Sequence, residues 1–256
     1  MHYAFLRIDF LEAGIAQLSL NRPEAANALT AAMALELKEV FSSLPVRAAI
    51  LCGVGKHFCA GADLKERDGM GEEAWKTQHQ AFREARDAIL ACPVPVIAAI
   101  QGAAYGGGLE LALACDFIYA AKDARFALTE ASLGIMPGMG GTVLLPRTVG
   151  ARRAKEILYC AAPFSAEEAY GWGIVNRLCD VDSLHETTLA CAKTIAANAP
   201  LSIQSIKKSV DGGKDQPLAA ALAEELSLYN RLLSSQDRRE GIASWNEKRK
   251  PQFTGN

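Results

Sequence analysis

From Cys92 to Leu109 the chain reads CPVPVIAAIQGAAYGGGL, without one charged side chain. Such a run must be buried in protein or in a membrane, and either answer fixes the centre of the fold. A membrane helix fails on composition, because two prolines and four glycines interrupt the run and both residue types break a helix. Glu110 and Asp116 follow at once. The segment is therefore expected to be a buried strand, Val96 to Gln101, turning through glycines into a buried helix.

Around that centre Ala48 to Cys52, Phe117 to Ala120 and Phe126 to Leu128 are short and apolar without alternation, as strands covered on both faces must be. The opening does alternate: AFLRIDF and IAQLSL flank Glu12, Ala13 and Gly14, which predicts a half-buried hairpin. Met33, Leu37, Val40, Phe41 and Leu44 share a helical face behind Thr30, a candidate N-cap. Strands and helices thus alternate to about residue 145, which predicts an α/β sheet with mostly parallel crossovers. Beyond Arg147 only Ile174 to Leu178 reads as strand. Ser165 with Glu168 makes a capping box, and Pro217 opens a helix with Leu218, Leu222, Leu226 and Tyr229 in register. Asp237 with Glu240 opens a last helix that ends in Lys248, Arg249 and Lys250. This helical appendage is expected to pack on the core or on another subunit.

A chain of 256 residues, half of them apolar, can bury one large core without disulfides or metal. Its 27 basic and 29 acidic side chains, with a pI near 6.1, create no field that would gather nucleic acid or an anionic membrane. Seven cysteines form no CxxC pair and four histidines form no HExxH, so the cysteines read as small buried hydrophobes in a reducing cytosol and no metal site is indicated. The opening MHYAFLRIDF resembles neither a signal peptide nor a transit peptide, and a cytoplasmic location is expected.

Two segments break the local rules. In KHFCAGADLKER, Lys56 to Arg67, Gly61 between two alanines gives a ligand access to the backbone; an ordinary strand-to-helix loop would read the same way. In QGAAYGGGLELALACD, Gly106, Gly107 and Gly108 put N–H groups at a helix start, where an anion is favoured; tight helix-to-strand packing is the competing use. Glu110 is the one charge on a helix apolar all round, and a buried carboxylate needs a reason. Glu130 is a second isolated acid before a glycine-rich turn, either a helix-start group or a functional one. Two acids flanking two converging amides would suffice for proton transfer beside an activated acyl group. GxSxG, GxGxxG and GxxxxGK[ST] are absent. His57 and His79 read as core or surface residues. Lys65 to Arg67 reads as a solvated helix start, with Lys65 the one candidate for a phosphate contact.

These segments resemble a known family. LNRPEAANAL, HFCAGADLKER, PVPVIAAIQGAAYGGGLELALACD, FALTEASLGIMPGMGGTVLLPRTVG and FSAEEAYGWGIVNRL match, in order and spacing, blocks of the crotonase, or enoyl-CoA hydratase/isomerase, superfamily. The resemblance implies an α/β fold, a spiral of ββα units with a C-terminal helical region. Residues 1–195 would form the core with the CoA and catalytic site, and 196–256 a helical trimerisation region, with a homotrimer or a hexamer as the assembly. It implies an oxyanion hole at the backbone N–H groups of Ala62 and Gly107, catalytic acids at Glu110 and Glu130, and a water held by the Gly138 N–H. Ala60, Asp63, Leu64 and Lys65 would line the CoA site, with the loop from Arg22 to Ala25 closing over it. That loop has Glu24 where relatives often carry a lysine.

Relatives that isomerise or decarboxylate often keep only one of the two acids, so the pair favours an enoyl-CoA hydratase over an isomerase or a decarboxylase. The blocks LKER and GLELALACD and the ending EKRKPQFTGN look closest to the methylglutaconyl-CoA hydratase branch. One relative there binds RNA through a lysine-studded first helix; residues 30–47 here carry Lys38 and Arg47 against Glu36 and Glu39, so no nucleic-acid partner is expected. An acyl-CoA thioester is the implied substrate. Coenzyme A is part of it, and no separate cofactor is implied.

Overall fold

The alternation of strand and helix recurs in a computed structural model that describes residues 3–256. Its elements are β1 (Leu6–Leu11), β2 (Ile15–Leu20), α1 (Ala31–Ser42), β3 (Ala48–Gly53), α2 (Leu64–Arg67), α3 (Glu72–Ala91), β4 (Val96–Ile100), β5 (Ala103–Tyr105) and α4 (Gly107–Ala114). Then follow β6 (Phe117–Ala121), β7 (Arg125–Ala127), α5 (Gly141–Cys160), β8 (Phe164–Ser165), α6 (Ala166–Gly171), β9 (Arg177–Cys179), α7 (Leu184–Ala196), α8 (Pro200–Gly213), α9 (Leu218–Leu232) and α10 (Gln236–Asn246).

A six-stranded sheet runs in the order β1-β2-β3-β4-β6-β9, parallel except for the β1–β2 hairpin. A smaller sheet has the order β5-β7-β8. In β4-β5-α4 and again in β6-β7-α5 the chain lays one strand in each sheet and then a helix. Before these, β3 is followed by Cys59, which bridges to Ala104 of β5. This repeated step is the crotonase spiral.

The unalternating apolar runs have a direct cause. Ala49 and Leu51 of β3 and Val96, Ala98 and Ile100 of β4 face the larger core cluster under α1, α3 and α4. Ala48, Ile50, Ile97 and Ala99 face a second cluster with Leu184, Ala192 and Ala196 of α7. Both faces are covered, so every position is apolar. The run from Cys92 to Leu109 resolves into β4, β5 and the start of α4, and no helix among the described residues is long and apolar enough to cross a membrane.

Several local expectations hold in detail. Thr30 accepts the Met33 N–H, and both arms of the Ser165–Glu168 capping box are made. Others are corrected. β2 is buried on both faces rather than half-buried, because it lies inside the sheet; Ser19 on its polar side is only 2% exposed and meets the Cys52 thiol at 3.3 Å. The strand expected at Ile174–Leu178 is Arg177–Cys179, since Ile174 and Val175 are buried in the turn after α6. The last helix is capped by Ser235, while Asp237 instead accepts the N–H groups of Thr254 and Gly255 and pins the C-terminal tail. Arg249 folds back onto Glu240 rather than closing that helix. Cys160 is exposed, unlike the buried Cys59, Cys92, Cys115 and Cys179.

Candidate active site

The bridge between Leu29 and Ala62 sets one amide. Leu29 donates to Gly61 O at 2.7 Å and Asp63 donates to Leu29 O at 2.9 Å. Extended backbone alternates its polar groups, so the Ala62 N–H turns to the opposite side. The loop is fixed from behind: Arg22 Nη1 donates to Asp63 Oδ2 at 2.5 Å, and the buried Asn27 joins Arg22 N to the carbonyls of Val54 and His57. Asp63 Oδ1 also caps α2 through the Lys65 and Glu66 N–H groups. Burial alone would raise the Asp63 pKa, but Arg22 and these amides outweigh it and hold the carboxyl below its usual value.

The second amide comes from the three glycines, and they divide the labour. Gly106 has φ +50°, and a Cβ there would lie 3.0 Å from Glu130 Oε1. At Gly108 a Cβ would run into the Cys59 carbonyl, so packing accounts for that position. Gly107 opens α4, where an N–H has no intrahelical acceptor. Its Cβ direction comes within 3.9 Å of Ala62 N. Ala62 and Gly107 both line a cleft of about 610 Å³, together with Ala60, Leu64, Glu110, Glu130 and Gly138.

Glu110 projects from α4 and is 2% exposed. Its Oε1 accepts the Met139 N–H and the Gly141 N–H, each at 2.7 Å, the latter at the start of α5. Burial pushes its pKa up to about 7; the Gly141 N–H opposes this, the charge of Glu130 adds to it, and the Met139 N–H and Arg86 oppose it. Glu130 is 8% exposed, and its Oε2 is buried with no hydrogen-bond partner among the described residues. Burial raises its pKa as well, against its own N–H and the charge of Arg67. Burial thus raises the pKa of both carboxyls, and two such groups in a cleft that Ala62 and Gly107 also line are suited to moving protons beside an oxygen that gains negative charge.

The Arg22, Ala25, Asp63 and Lys65 side of the site lies outside this cleft, behind the Ala62 loop. Sequence reading missed the opposite wall. Trp75, His79, Phe82 and Arg86 recur along one face of α3 and line the cleft together with Arg67, a helical stripe that the spacing could have revealed. The run Lys65 to Arg67 is accordingly not all solvated. The guanidinium of Arg67 lies 4.2 Å from the Trp75 ring centre and 5.5 Å from that of Phe82. His79 Nε2 lies 2.9 Å from Gly138 O; a carbonyl only accepts, so the ring nitrogen donates. That bond braces the turn whose amides hold Glu110.

A site of this kind belongs to enzymes that work on activated acyl groups. The family model described as enoyl-CoA hydratase/isomerase matches residues 11–256, and the chain belongs to that family. It is 40% identical over 255 residues to probable enoyl-CoA hydratase 2, mitochondrial, of Arabidopsis thaliana, covering 98% of this chain and 85% of that protein. It is 40% identical to the putative enoyl-CoA hydratase/isomerase YngF of Bacillus subtilis, covering 94% of this chain and 95% of the relative. The crystal structure of enoyl-CoA hydratase from Bacillus anthracis superposes with a TM-score of 0.96 at 40% identity, over 98% of this chain and all of that one.

Proposed function

We propose that the chain is an enoyl-CoA hydratase, which adds water across the C2–C3 double bond of a 2-enoyl-CoA. The observation that carries this reading is the presence of two buried acids, Glu110 and Glu130, in one cleft with two amide donors. The thioester oxygen accepts from Ala62 N–H and Gly107 N–H, which stabilise the enolate-like charge; one such donor is typically worth about 3 to 4 kcal/mol. Glu110 takes a proton from the water whose oxygen bonds C3. The π electrons pass to C2 and the thioester oxygen, and Glu130 delivers a proton to C2. A pKa near neutrality suits a base that must also let its proton go. The Gly138 N–H holds the attacking water, while Ala60, Asp63, Leu64 and Lys65, with the Arg22–Ala25 loop, take the coenzyme portion.

Hydration moves protons and no electrons, so the substrate's own coenzyme A is the only organic group the reaction needs. An isomerase of the same family is the second reading, and it would require only one of the two acids. The test is incubation with a 2-enoyl-CoA and, separately, a 3-enoyl-CoA in ¹⁸O-labelled water. Label at C3 of a 3-hydroxyacyl product supports hydration; a shifted double bond without label supports isomerisation and sinks the hydratase reading. We further propose a cytoplasmic homotrimer or hexamer built through the C-terminal helices, without a nucleic-acid partner.

A further inference from the structure

We infer that His79 is a positioning residue for the reaction proposed above: by donating to Gly138 O it fixes the peptide that aims the Met139 N–H at Glu110. This rests on the reading of Glu110 as the base and adds what holds that base in place. His79 and Arg86 lie about two turns apart on one face of α3. They meet the turn before α5 at alternate residues: His79 Nε2 donates to Gly138 O at 2.9 Å, and a Cβ on Gly140 would lie 3.2 Å from Arg86 Cδ. Met139 and Gly141 give their N–H groups to Glu110 Oε1. One amide joins the two sides. Gly138 O and the Met139 N–H belong to the same peptide unit, which is planar and trans, so its oxygen and its hydrogen point in opposite directions. His79 therefore pins one end of a rigid plate whose other end holds the base.

Little else holds that plate. From Met136 to Met139 the backbone makes no hydrogen bond to other backbone groups among the described residues, and Gly138 leaves the chain free to turn at the plate's edge. The ring itself demands that glycine, since a Cβ on Gly138 would collide with His79 Nε2. Proton transfer makes a support independent of Glu110 necessary. A hydrogen bond to a carboxylate is roughly twice as strong as one to a neutral acid, so Glu110 loosens its own grip on the turn when it takes the proton of the water. The His79 bond is unchanged by that step and keeps the amide in place for the carboxylate that returns. It also acts on acidity. Hydrogen bonds at both ends of one amide reinforce each other, and the Met139 N–H is among the groups that oppose the rise of the Glu110 pKa. The charges acting on Glu110 are those of Glu130, of Arg86 on α3 and of Arg67 on α2; the first turn of α5, Gly141 to Leu144, carries none. Substituting His79 leaves all three in place.

The test compares His79→Ala and His79→Phe, which cannot donate, with His79→Gln, whose amide nitrogen donates to Gly138 O without a titratable ring. Two readouts are taken. One is the pH profile of kcat/KM for a 2-enoyl-CoA; the other is the titration of the Glu110 carboxyl carbon by NMR in protein labelled with ¹³C-glutamate, its signal assigned by its absence from Glu110→Gln. In both variants that cannot donate, the Glu110 pKa should move up from about 7 by about one pH unit. Turnover at pH 7 should fall about 10- to 100-fold with KM little changed, and His79→Gln should restore most of both. Wild-type titration and turnover in His79→Phe would make the ring a space filler and overturn the inference, as would a His79→Gln as impaired as His79→Ala. Failure of both His79→Ala and His79→Phe to fold would assign the ring to the fold and overturn it too. A wild type that hydrates no 2-enoyl-CoA defeats the hydratase reading alone, because the carboxyl titration reads the effect of the His79 bond on Glu110 without substrate.

Discussion

Two helices of this chain, α4 and α9, are rich in apolar residues and end in opposite surroundings. α4 buries every residue but Leu113, including the charged Glu110. α9 buries only Leu228, and Leu218, Leu222, Leu226 and Tyr229 stand in solvent along one face. Each helix also borders a cavity of several hundred Å³: the cleft of about 610 Å³ beside α4, and a groove of about 540 Å³ between the end of α3, α8 and α9. The cavities differ in what their polar groups lack. In the groove Lys207 is already paired with Asp116 at 2.7 Å and with Val94 O. In the cleft the buried Glu130 Oε2 has no partner among the described residues, and the Gly107 amide has no intrahelical acceptor. Volume alone therefore does not locate chemistry; a buried carboxyl oxygen left without a partner does.

If the cleft is the chemical region, neutralising either acid should have the largest effect of any single change. Glu110→Gln keeps an acceptor for the Met139 and Gly141 N–H groups and loses the proton transfer, as does Glu130→Gln at its position. Each should lower turnover of a 2-enoyl-CoA by about 10²- to 10⁴-fold. The acids share one transition state, so the double variant should lose less than the product of the two single effects. Near-full hydration by Glu110→Gln beside a dead Glu130→Gln would break the two-acid account in favour of one-acid isomerase chemistry.

The pH response sharpens the same point with a smaller effect. A base with a pKa of about 7 makes kcat/KM climb nearly tenfold per pH unit below that value and level off above it. Stability should run the other way. The folded pKa lies above the unfolded value of 4.5, so the folded state holds the extra proton; stability is full below about 4.5, falls between there and about 7, and is flat beyond. The loss amounts to about 3 kcal/mol. Glu110→Gln has no proton to lose, so chemical denaturation should find it more stable than wild type at pH 8 and equal to it at pH 4. A variant less stable at pH 8 would show that burial of Glu110 costs nothing.

How much of this was legible in the sequence follows from the same contrast. β3, β4 and β6 could be read because both of their faces are covered by this chain itself, and Glu110 because it stands alone among apolar neighbours. The spiral came only through resemblance: whether successive strands enter one sheet or two depends on bridges such as Cys59 to Ala104, which no local pattern encodes. Arg67 hid inside a charged run, since its burial is set by Trp75 and Phe82 from a different helix. Asp237 looked like a cap because its partners, Thr254 and Gly255, lie far along the chain.

The smallest effect on the isolated fold is expected where the apolar pattern finds no partner within the chain. Leu222 and Leu226 are 53% and 59% exposed, and a face this apolar on a monomer signals a surface covered by something else. We expect that cover to be the same face or a neighbouring helix of another copy, closed by symmetry into a trimer or a pair of trimers. Leu222→Glu with Leu226→Glu should then dissociate the assembly in light scattering while each chain keeps its circular-dichroism spectrum. Exposed positions rarely change the stability of a lone chain by more than about 0.5 kcal/mol, so any fall in Tm should come from lost association, and the variant's Tm should no longer depend on protein concentration as the wild type's does. A wild type that is already monomeric at micromolar concentration would break the comparison on this side. A double variant that unfolds as a monomer would mean that α9 is held by its own chain after all, through more than Leu228.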